Sequence, residues 1–244
     1  MAYSPEQYRA HFFEVFRGKA QFIKDFCSER KVEAVILTCC AIDALSVYKF
    51  GEPSSGRKFE NFTLQYSGLK ETYEKVSLPV LKENLRPNPK KKELPAQRLK
   101  LNSKIAKLLE NKFGVIEDSY TQLDYNVDVG LDKLIDKLTA DLNVSEQSYL
   151  KKTAAKYRYI TLLWREYRCN AIHKSTLMAD RALMNLAEKE VPFYGNEIIF
   201  ENGVFVRHIP RFDIPPKFMI STLENCIMKL ESEWNYFNVN PMEL

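Results

Sequence analysis

The chain has 244 residues, enough to bury a sizeable core, and its 45% hydrophobic and 28% charged residues are ordinary for a globular protein. Eight glycines are too few for a β-sandwich with many tight turns, so the composition favours a mainly α fold. The formal net charge of +4 identifies no class of partner, and the five cysteines lack the paired spacing of a zinc site.

Capping signals and apolar spacing predict three helices at the start of the chain. Ser4 is a typical N-cap residue, and Pro5 after it is typical of a first helical position. Gly51 and Gly68 each follow a run of apolar residues at helical spacing, where a helix commonly ends. The predicted helices cover about residues 5–28, 30–50 and 57–66.

The longest apolar run, residues 32–47, predicts a buried core helix. Glu33 and Asp43 interrupt it, whereas a membrane span needs about 20 nearly uninterrupted apolar residues. Charged side chains from Glu6 onward also make the N-terminal stretch unlike a signal peptide. We therefore expect a cytoplasmic protein with reduced cysteines and no membrane partner, folded as a single domain over residues 1–244.

Prolines dominate the segment of about residues 69–98. Proline lacks the amide hydrogen that an inner helical turn or a central strand requires, so we predict an irregular insertion rich in proline and lysine. Beyond it, Asn202-Gly203 lies between two apolar segments and predicts a β-hairpin over about 197–207. Apolar periodicity predicts the remaining helices over about 99–112, 131–142, 145–173, 177–188 and 216–237.

Two stretches of the chain are locally cationic. Residues 86–112 contain nine Lys or Arg against two acidic residues, and residues 151–181 contain eight against two. Most of the helix predicted over 145–173 lies in the second stretch, and the positive charge makes that helix suited to phosphates. A solvated basic helix face with no ligand is the alternative interpretation.

Arg168 and His173 are separated by four residues near the end of this basic helix. An Arg, four to six residues, then a His near a helix end resembles the active-site signature of HEPN proteins. An early buried helix and an Arg-Phe-rich helix after a Gly/Pro turn extend the resemblance over most of residues 5–240. It implies a HEPN-like helical bundle with a small β-hairpin near the C-terminus. Many such proteins are metal-independent RNA endonucleases, so no metal and no cofactor are expected.

The two motif residues have the chemistry that RNA cleavage requires. Attack by the 2′-hydroxyl needs a group that takes its proton and a cation that stabilises the crowded phosphate. His173 titrates near neutrality and suits the first task, whereas the guanidinium of Arg168 can hold two phosphate oxygens. The resemblance implies products with a 2′,3′-cyclic phosphate and a 5′-hydroxyl.

Helical geometry separates Arg168 from His173, because five residues along a straight α-helix place them about 140° apart. Either the helix bends or ends near His173, or the motifs of two chains meet across a symmetry axis. In HEPN nucleases the two motifs of a dimer form one cleft. The resemblance therefore implies a homodimer with a composite site.

Supporting roles follow from chemistry and position. Asp43 lies in an apolar helix, where a buried carboxylate needs a cationic partner such as Arg168, although an Asp at the helix edge facing water is the alternative. Cys169 stands where the family usually has a polar residue. We also assign supporting roles to Asn170 and Arg165, and RNA-binding roles to Lys174, Arg158 and Lys156.

Three functions remain open at this point. The leading hypothesis is an RNA endonuclease that acts in defence or as a growth-arresting toxin, as the resemblance suggests, with RNA, a second copy and a regulatory protein as partners. The second is a catalytically silent HEPN module that binds RNA or a protein partner. The third is a purely structural interaction module.

Overall fold

A computed structural model describes residues 4–87, 94–115, 127–169, 190–201 and 204–233, and these residues are mainly helical. The chain divides into two compact units, each built from separate stretches of sequence. The first contains Met1–Tyr73, Ile160–Val191 and Ile214–Leu244, and the second contains Glu74–Tyr159 and Pro192–Asp213. The expectation of one domain over residues 1–244 stays a prediction.

Three long helices form the centre of the first unit: α1 (Pro5–Phe26), α2 (Lys31–Phe50) and α10 (Pro216–Ser232). The ion pairs Arg17–Glu231 (2.7 Å) and Lys24–Glu224 (3.1 Å) join α1 to α10 in antiparallel orientation. Apolar side chains of all three helices fill the core between them, because each helix must bury its apolar face. The fully or almost fully buried ones include Phe13, Ile23, Val35, Ile42, Leu45, Met219, Leu223 and Leu230.

Local capping explains where these helices begin and end. The Ser4 side chain accepts a hydrogen bond from the backbone N–H of Gln7, whose side chain accepts one from the Ser4 backbone in return. Gly51, with φ of 78°, ends α2 and leads to α3 (Gly56–Tyr66) and the short α4 (Lys70–Tyr73). The first three predicted helices are thus confirmed.

The described residues of the second unit form four α-helices and two small antiparallel sheets. Its helices are α5 (Leu78–Leu85), α6 (Ala96–Phe113), α7 (Leu131–Leu138) and α8 (Val144–Ala154), and Leu81, Ile105, Leu109, Leu134 and Leu150 are fully buried in their common core. The strands β1 (Lys75–Val76) and β2 (Val129–Gly130) form one sheet. The strands β3 (Phe193–Glu201) and β4 (Val204–Asp213) form the other.

The hairpin near the C-terminus is confirmed, and it is longer than the predicted residues 197–207. Phe193 pairs with Asp213 at the open end, and Glu201 pairs with Val204 next to the turn, with one irregularity between Ile199 and Phe200. The predicted turn residues 202–203 and the predicted helix over 177–188 lie outside the described residues.

The prediction of an irregular segment over residues 69–98 is wrong for much of its length. It contains α4, β1, α5 and the start of α6. Pro79 lies in the first turn of α5, where an amide hydrogen has no helical acceptor, so proline is accommodated there. Residues 88–93 lie outside the described residues.

The single long helix predicted over residues 145–173 is also wrong. After α8 the chain makes a short 3₁₀ turn, Ala155–Tyr157, and Arg158 is extended with ψ of 146°. The backbone N–H of Ser77 donates to the Tyr157 carbonyl at 2.9 Å, and Arg158 forms a β-bridge with Val76. These contacts within the second unit replace the helical bonds. The short helix α9 (Tyr159–Leu162) and a π-helical turn (Leu163–Cys169) follow.

No helix among the described residues combines the length and apolar character that a membrane crossing requires.

Candidate functional site

The candidate site is centred on Arg168, in the π-helical turn Leu163–Cys169 of the first unit. A π-helix forms i→i+5 hydrogen bonds and is wider than an α-helix, and such turns are frequent at functional sites. The separation of about 140° between Arg168 and His173 assumed a straight α-helix. That assumption fails at least as far as Cys169, and His173 itself lies outside the described residues.

Asp43 on α2 binds Arg168 directly. The Arg168 Nη2 donates to Asp43 Oδ2 at 2.8 Å, and the side chains are 17% and 11% exposed, respectively. The Ser54 hydroxyl donates to the other carboxylate oxygen, Oδ1, at 2.7 Å. The predicted pairing of Asp43 with Arg168 is therefore confirmed, because the carboxylate in the apolar helix is indeed almost buried and is satisfied by a cation.

Trp164 supports the same guanidinium from a second direction. The Arg168 Cζ lies 4.5 Å from the centroid of the Trp164 ring, a cation–π distance, and the Phe59 ring centroid lies 5.1 Å from that of Trp164. Arg168 follows Trp164 by four residues in the same π-helical turn, so the local backbone brings the two side chains together. A carboxylate and an indole together fix the orientation of the guanidinium.

At Gly56 the backbone of α3 lies close to the Trp164 indole. A Cβ atom at this residue would lie 2.6 Å from the indole Nε1. That distance is a steric clash, and the indole is rigid, so either α3 or Trp164 would have to move.

We expect Gly56→Ala to lower the free energy of unfolding by about 1–3 kcal/mol, because the added methyl group overpacks the contact with Trp164. Urea unfolding measures the change. Gly18→Ala is the matched control, since a Cβ at Gly18 within α1 has nothing within 4 Å. We expect the control to be stabilised by about 0.5–1 kcal/mol, because alanine favours the helix interior. Equal effects at the two glycines would contradict the packing assigned to Trp164.

The charges around Arg168 keep it ionised. Burial by itself lowers the pKa of Arg168, but the hydrogen bond and the charge of Asp43, together with Cys169, raise the pKa above the ordinary value. Burial raises the pKa of the Cys40 thiol, and Asp43 adds to this while Arg168 opposes it. The Cys40 thiol therefore stays protonated at neutral pH, and a nucleophilic thiolate is not favoured there.

Of the other predicted site residues that the structure describes, Arg165 belongs to the same unit as Arg168. The Arg165 Nε contacts Glu166 Oε1 at 2.6 Å, so its charge is compensated by its neighbour. Lys156 and Arg158 belong to the second unit, where Lys156 is exposed and the Arg158 Nε donates to the Ala155 carbonyl at 3.4 Å. Asn170, His173 and Lys174 lie outside the described residues.

A buried carboxyl in the second unit was missed by the sequence analysis. Asp128 is 3% exposed, and its Oδ1 accepts from the Leu78 backbone N–H at 2.9 Å. Its Oδ2 accepts from the Tyr159 hydroxyl at 2.5 Å and also contacts the Tyr194 hydroxyl, which lies 2.8 Å from Ser77 Oγ. Burial raises the pKa of Asp128 to about 7, against the hydrogen bonds and Lys75, which lower it. No spacing in the sequence connects these residues.

Within the described ranges, no three His, Cys, Asp or Glu side chains lie close enough together to hold a metal ion. Compared with models of known protein families, with curated proteins and with solved structures, the chain matches none of them.

Proposed function

We propose that this chain is a metal-independent RNA endonuclease of the HEPN type, with Arg168 and His173 as its catalytic residues. The observation that supports the proposal is the fixed orientation of Arg168 by Asp43 and Trp164, on the π-helical turn Leu163–Cys169. A nearly buried arginine that only stabilised the fold could lie anywhere in the chain, whereas Arg168 lies in the motif that it forms with His173. The coincidence of motif and geometry supports a catalytic role.

Preorganisation is the physical reason for this assignment. A cation stabilises the transition state best when its orientation is fixed before the substrate binds, because no reorganisation is then required during the reaction. Asp43 and Trp164 supply that restraint, and Ser54 in turn holds Asp43. Asp43 is thus a positioning residue in this proposal.

The reaction is an internal transfer within the RNA. His173 takes the proton of the 2′-hydroxyl, the 2′-oxygen attacks the adjacent phosphorus, and the bond from phosphorus to the 5′-oxygen breaks. Arg168 stabilises the negative charge on the non-bridging oxygens, and the departing 5′-oxygen receives a proton from the imidazolium of a second His173. The products are a 2′,3′-cyclic phosphate and a 5′-hydroxyl. The need for two histidine roles favours a homodimer with a composite site.

A cleavage assay of the purified chain with labelled single-stranded RNA in EDTA tests the proposal. We expect His173→Ala to lower the cleavage rate by about 100-fold or more, because the proton acceptor is lost. Arg168→Lys should cost about 100-fold as well, since lysine keeps the charge but cannot provide two parallel hydrogen bonds. Product ends that a kinase phosphorylates directly would identify the 5′-hydroxyl.

Arg30→Lys is the matched control for Arg168→Lys. Arg30 is 69% exposed and pairs with Glu33 on the surface of α2 at 3.5 Å, so its replacement should leave cleavage unchanged. Unchanged cleavage in both the Arg168 and His173 variants would refute the catalytic assignment.

A catalytically silent module that binds RNA or a protein partner is the second candidate function. The observation that favours it is the same ion pair, because Asp43 compensates the charge that Arg168 would offer to a phosphate. RNA binding without cleavage by the wild-type chain would support this second function. For either function we propose a cytoplasmic location. For the nuclease we further propose a role in defence or as a toxin, under control by a regulatory protein.

A further inference from the structure

Helix α6 of the second unit carries a stripe of lysines on its solvent side. Lys100, Lys104 and Lys107 are all exposed and follow one another at intervals of four and three residues. These intervals correspond to about 6 Å and 4.5 Å along the helix axis and place the three side chains on one face. The buried residues Ile105 and Leu109 lie on the opposite face. We call these three lysines the α6 stripe.

The stripe is a region of net positive charge. Between Leu94 and Leu109 the chain contains four cations, including Arg98 in the first turn of α6, and no acidic residue. Among the described residues, Lys100 and Lys107 form no ion pair, whereas Lys104 pairs with Glu146 of α8 at 2.8 Å. The stripe therefore keeps most of its charge for a ligand.

Contacts with α8 hold the stripe in place. The Tyr149 hydroxyl donates to Asn102 Oδ1 at 2.7 Å, and the Arg98 guanidinium lies 5.6 Å from the centroid of the Tyr149 ring. The N-terminus of α8 is capped by Asn143, which keeps Glu146 in its first turn. A ligand would thus meet three lysines whose backbone positions are already fixed.

The surroundings of the stripe fit a polyanion better than a membrane surface. Helix α6, described over its whole length, exposes no large apolar side chain that could enter a lipid layer. The same helix also exposes the polar residues Gln97, Ser103 and Asn111. Regularly spaced cations on a helix that exposes no large apolar side chain match a chain of phosphates, and such contacts do not depend on the base sequence.

We propose that the α6 stripe binds the phosphate backbone of single-stranded RNA. This inference rests on the proposed function, since RNA is the substrate there. The inference goes beyond the proposed function because the stripe belongs to the second unit, whereas Arg168 belongs to the first. Affinity for RNA and cleavage of RNA are then separable properties of the chain.

Fluorescence anisotropy with a labelled single-stranded RNA of mixed sequence tests the stripe. The full chain carries His173→Ala so that the RNA stays intact, and binding is measured over a range of salt concentrations. Replacing Lys100, Lys104 and Lys107 together by glutamine should weaken binding about 10- to 100-fold at constant salt. The slope of log affinity against log salt should become shallower by about 2, since each phosphate contact on a single strand contributes about 0.7.

Glutamine at Lys19, Lys133 and Lys217 together gives the matched control. These lysines are exposed on helices, and both triple variants reduce the formal net charge from +4 to +1. Lysine and glutamine have similar helix propensities, so folding should be preserved, and circular dichroism checks this. We expect the control variant to bind RNA about as tightly as the His173→Ala chain that keeps all of its lysines.

Each other outcome overturns a different claim. Equal losses of RNA affinity in both triple variants would show that net charge alone determines binding. Unchanged RNA affinity in the stripe variant would refute RNA binding by the stripe but would not affect the proposed nuclease activity. No RNA binding before any lysine is replaced would overturn the proposed function together with the stripe. If the stripe variant loses binding to phosphatidylserine vesicles but keeps binding to RNA, the ligand is a lipid surface instead.

Discussion

Asp43→Ala is expected to lower the free energy of unfolding by about 3 kcal/mol, because it leaves the guanidinium of Arg168 nearly buried without its carboxylate. The side chains of the pair are only 11% and 17% exposed, so water cannot fully replace the lost partner. Urea unfolding monitored by circular dichroism gives the change. Ser54→Ala removes one hydrogen bond to the same carboxylate and should cost about 1 kcal/mol.

Glu33→Ala is the matched control on the same helix. Glu33 is 51% exposed and pairs with Arg30, so its loss should change stability by no more than about 0.5 kcal/mol. The double variant Asp43→Leu with Arg168→Met should recover most of the loss seen for Asp43→Ala, because no charge is then left unpaired. An Asp43→Ala chain as stable as the Glu33→Ala chain would show that the pair contributes nothing to the fold.

The contribution of Asp128 to stability is expected to fall by about 4 kcal/mol as the pH rises from about 4 to about 7. The ordinary pKa of 3.8 applies to the unfolded chain, and burial raises the pKa of Asp128 to about 7 in the folded state. Between these values the unfolded chain loses the proton while the folded chain keeps it. The stabilisation by Asp128 is therefore greatest below pH 3.8 and smallest above about pH 7. Between these two pH values it falls by about 1.4 kcal/mol for each pH unit.

The hydrogen bonds around Asp128 are compatible with a neutral carboxyl. The Tyr194 hydroxyl has one proton, and it lies within hydrogen-bond distance of both Ser77 Oγ and Asp128 Oδ2. A proton on Oδ2 allows Asp128 to donate to Tyr194 and Tyr194 to donate to Ser77. The ionised carboxylate instead requires Ser77 to donate to Tyr194. The network can thus rearrange its protons without moving its heavy atoms.

Comparison with Asp128→Asn isolates this effect. The free energy of unfolding of the wild-type chain minus that of the variant should decrease across the pH range, because asparagine does not titrate. Asp132→Asn, at an exposed residue of α7, is the matched control, because it removes a carboxyl that stays in water in the folded chain. A difference that increases with pH would mean that the two tyrosines stabilise the carboxylate more than burial destabilises it.

The parts of the fold that sequence analysis predicted well are those specified by neighbouring residues. Ser4 and Gln7 cap α1 by contacts within one turn, and Gly51 ends α2 through its own backbone freedom. The interruption at Arg158 has no such local cause, since neither proline nor glycine is present there. It depends on Val76 and Ser77, about 80 residues earlier in the chain, and tertiary contacts of this kind override local propensity.

In the candidate site too, contacts that depend on tertiary packing were harder to predict than those with a cause in the sequence itself. The pairing of Asp43 with Arg168 was predictable, because an isolated carboxylate in an apolar helix requires a cation, and the motif supplied one. The contact of Ser54 with Asp43 and the approach of Gly56 to Trp164 depend on how α3 packs, which no periodicity specifies. The cluster around Asp128 joins four distant stretches of the second unit and was missed for that reason.

Each unit is built from separate stretches of sequence, and this arrangement limits how far the first unit can fold during synthesis on the ribosome. Helices α1 and α2 are synthesised first, but their apolar faces pack against α10, the last described helix to emerge. The whole stretch Glu74–Tyr159 is made in between and belongs to the other unit. The early helices therefore keep the apolar surface that α10 covers exposed until α10 is translated, and exposed apolar surface of this kind favours aggregation.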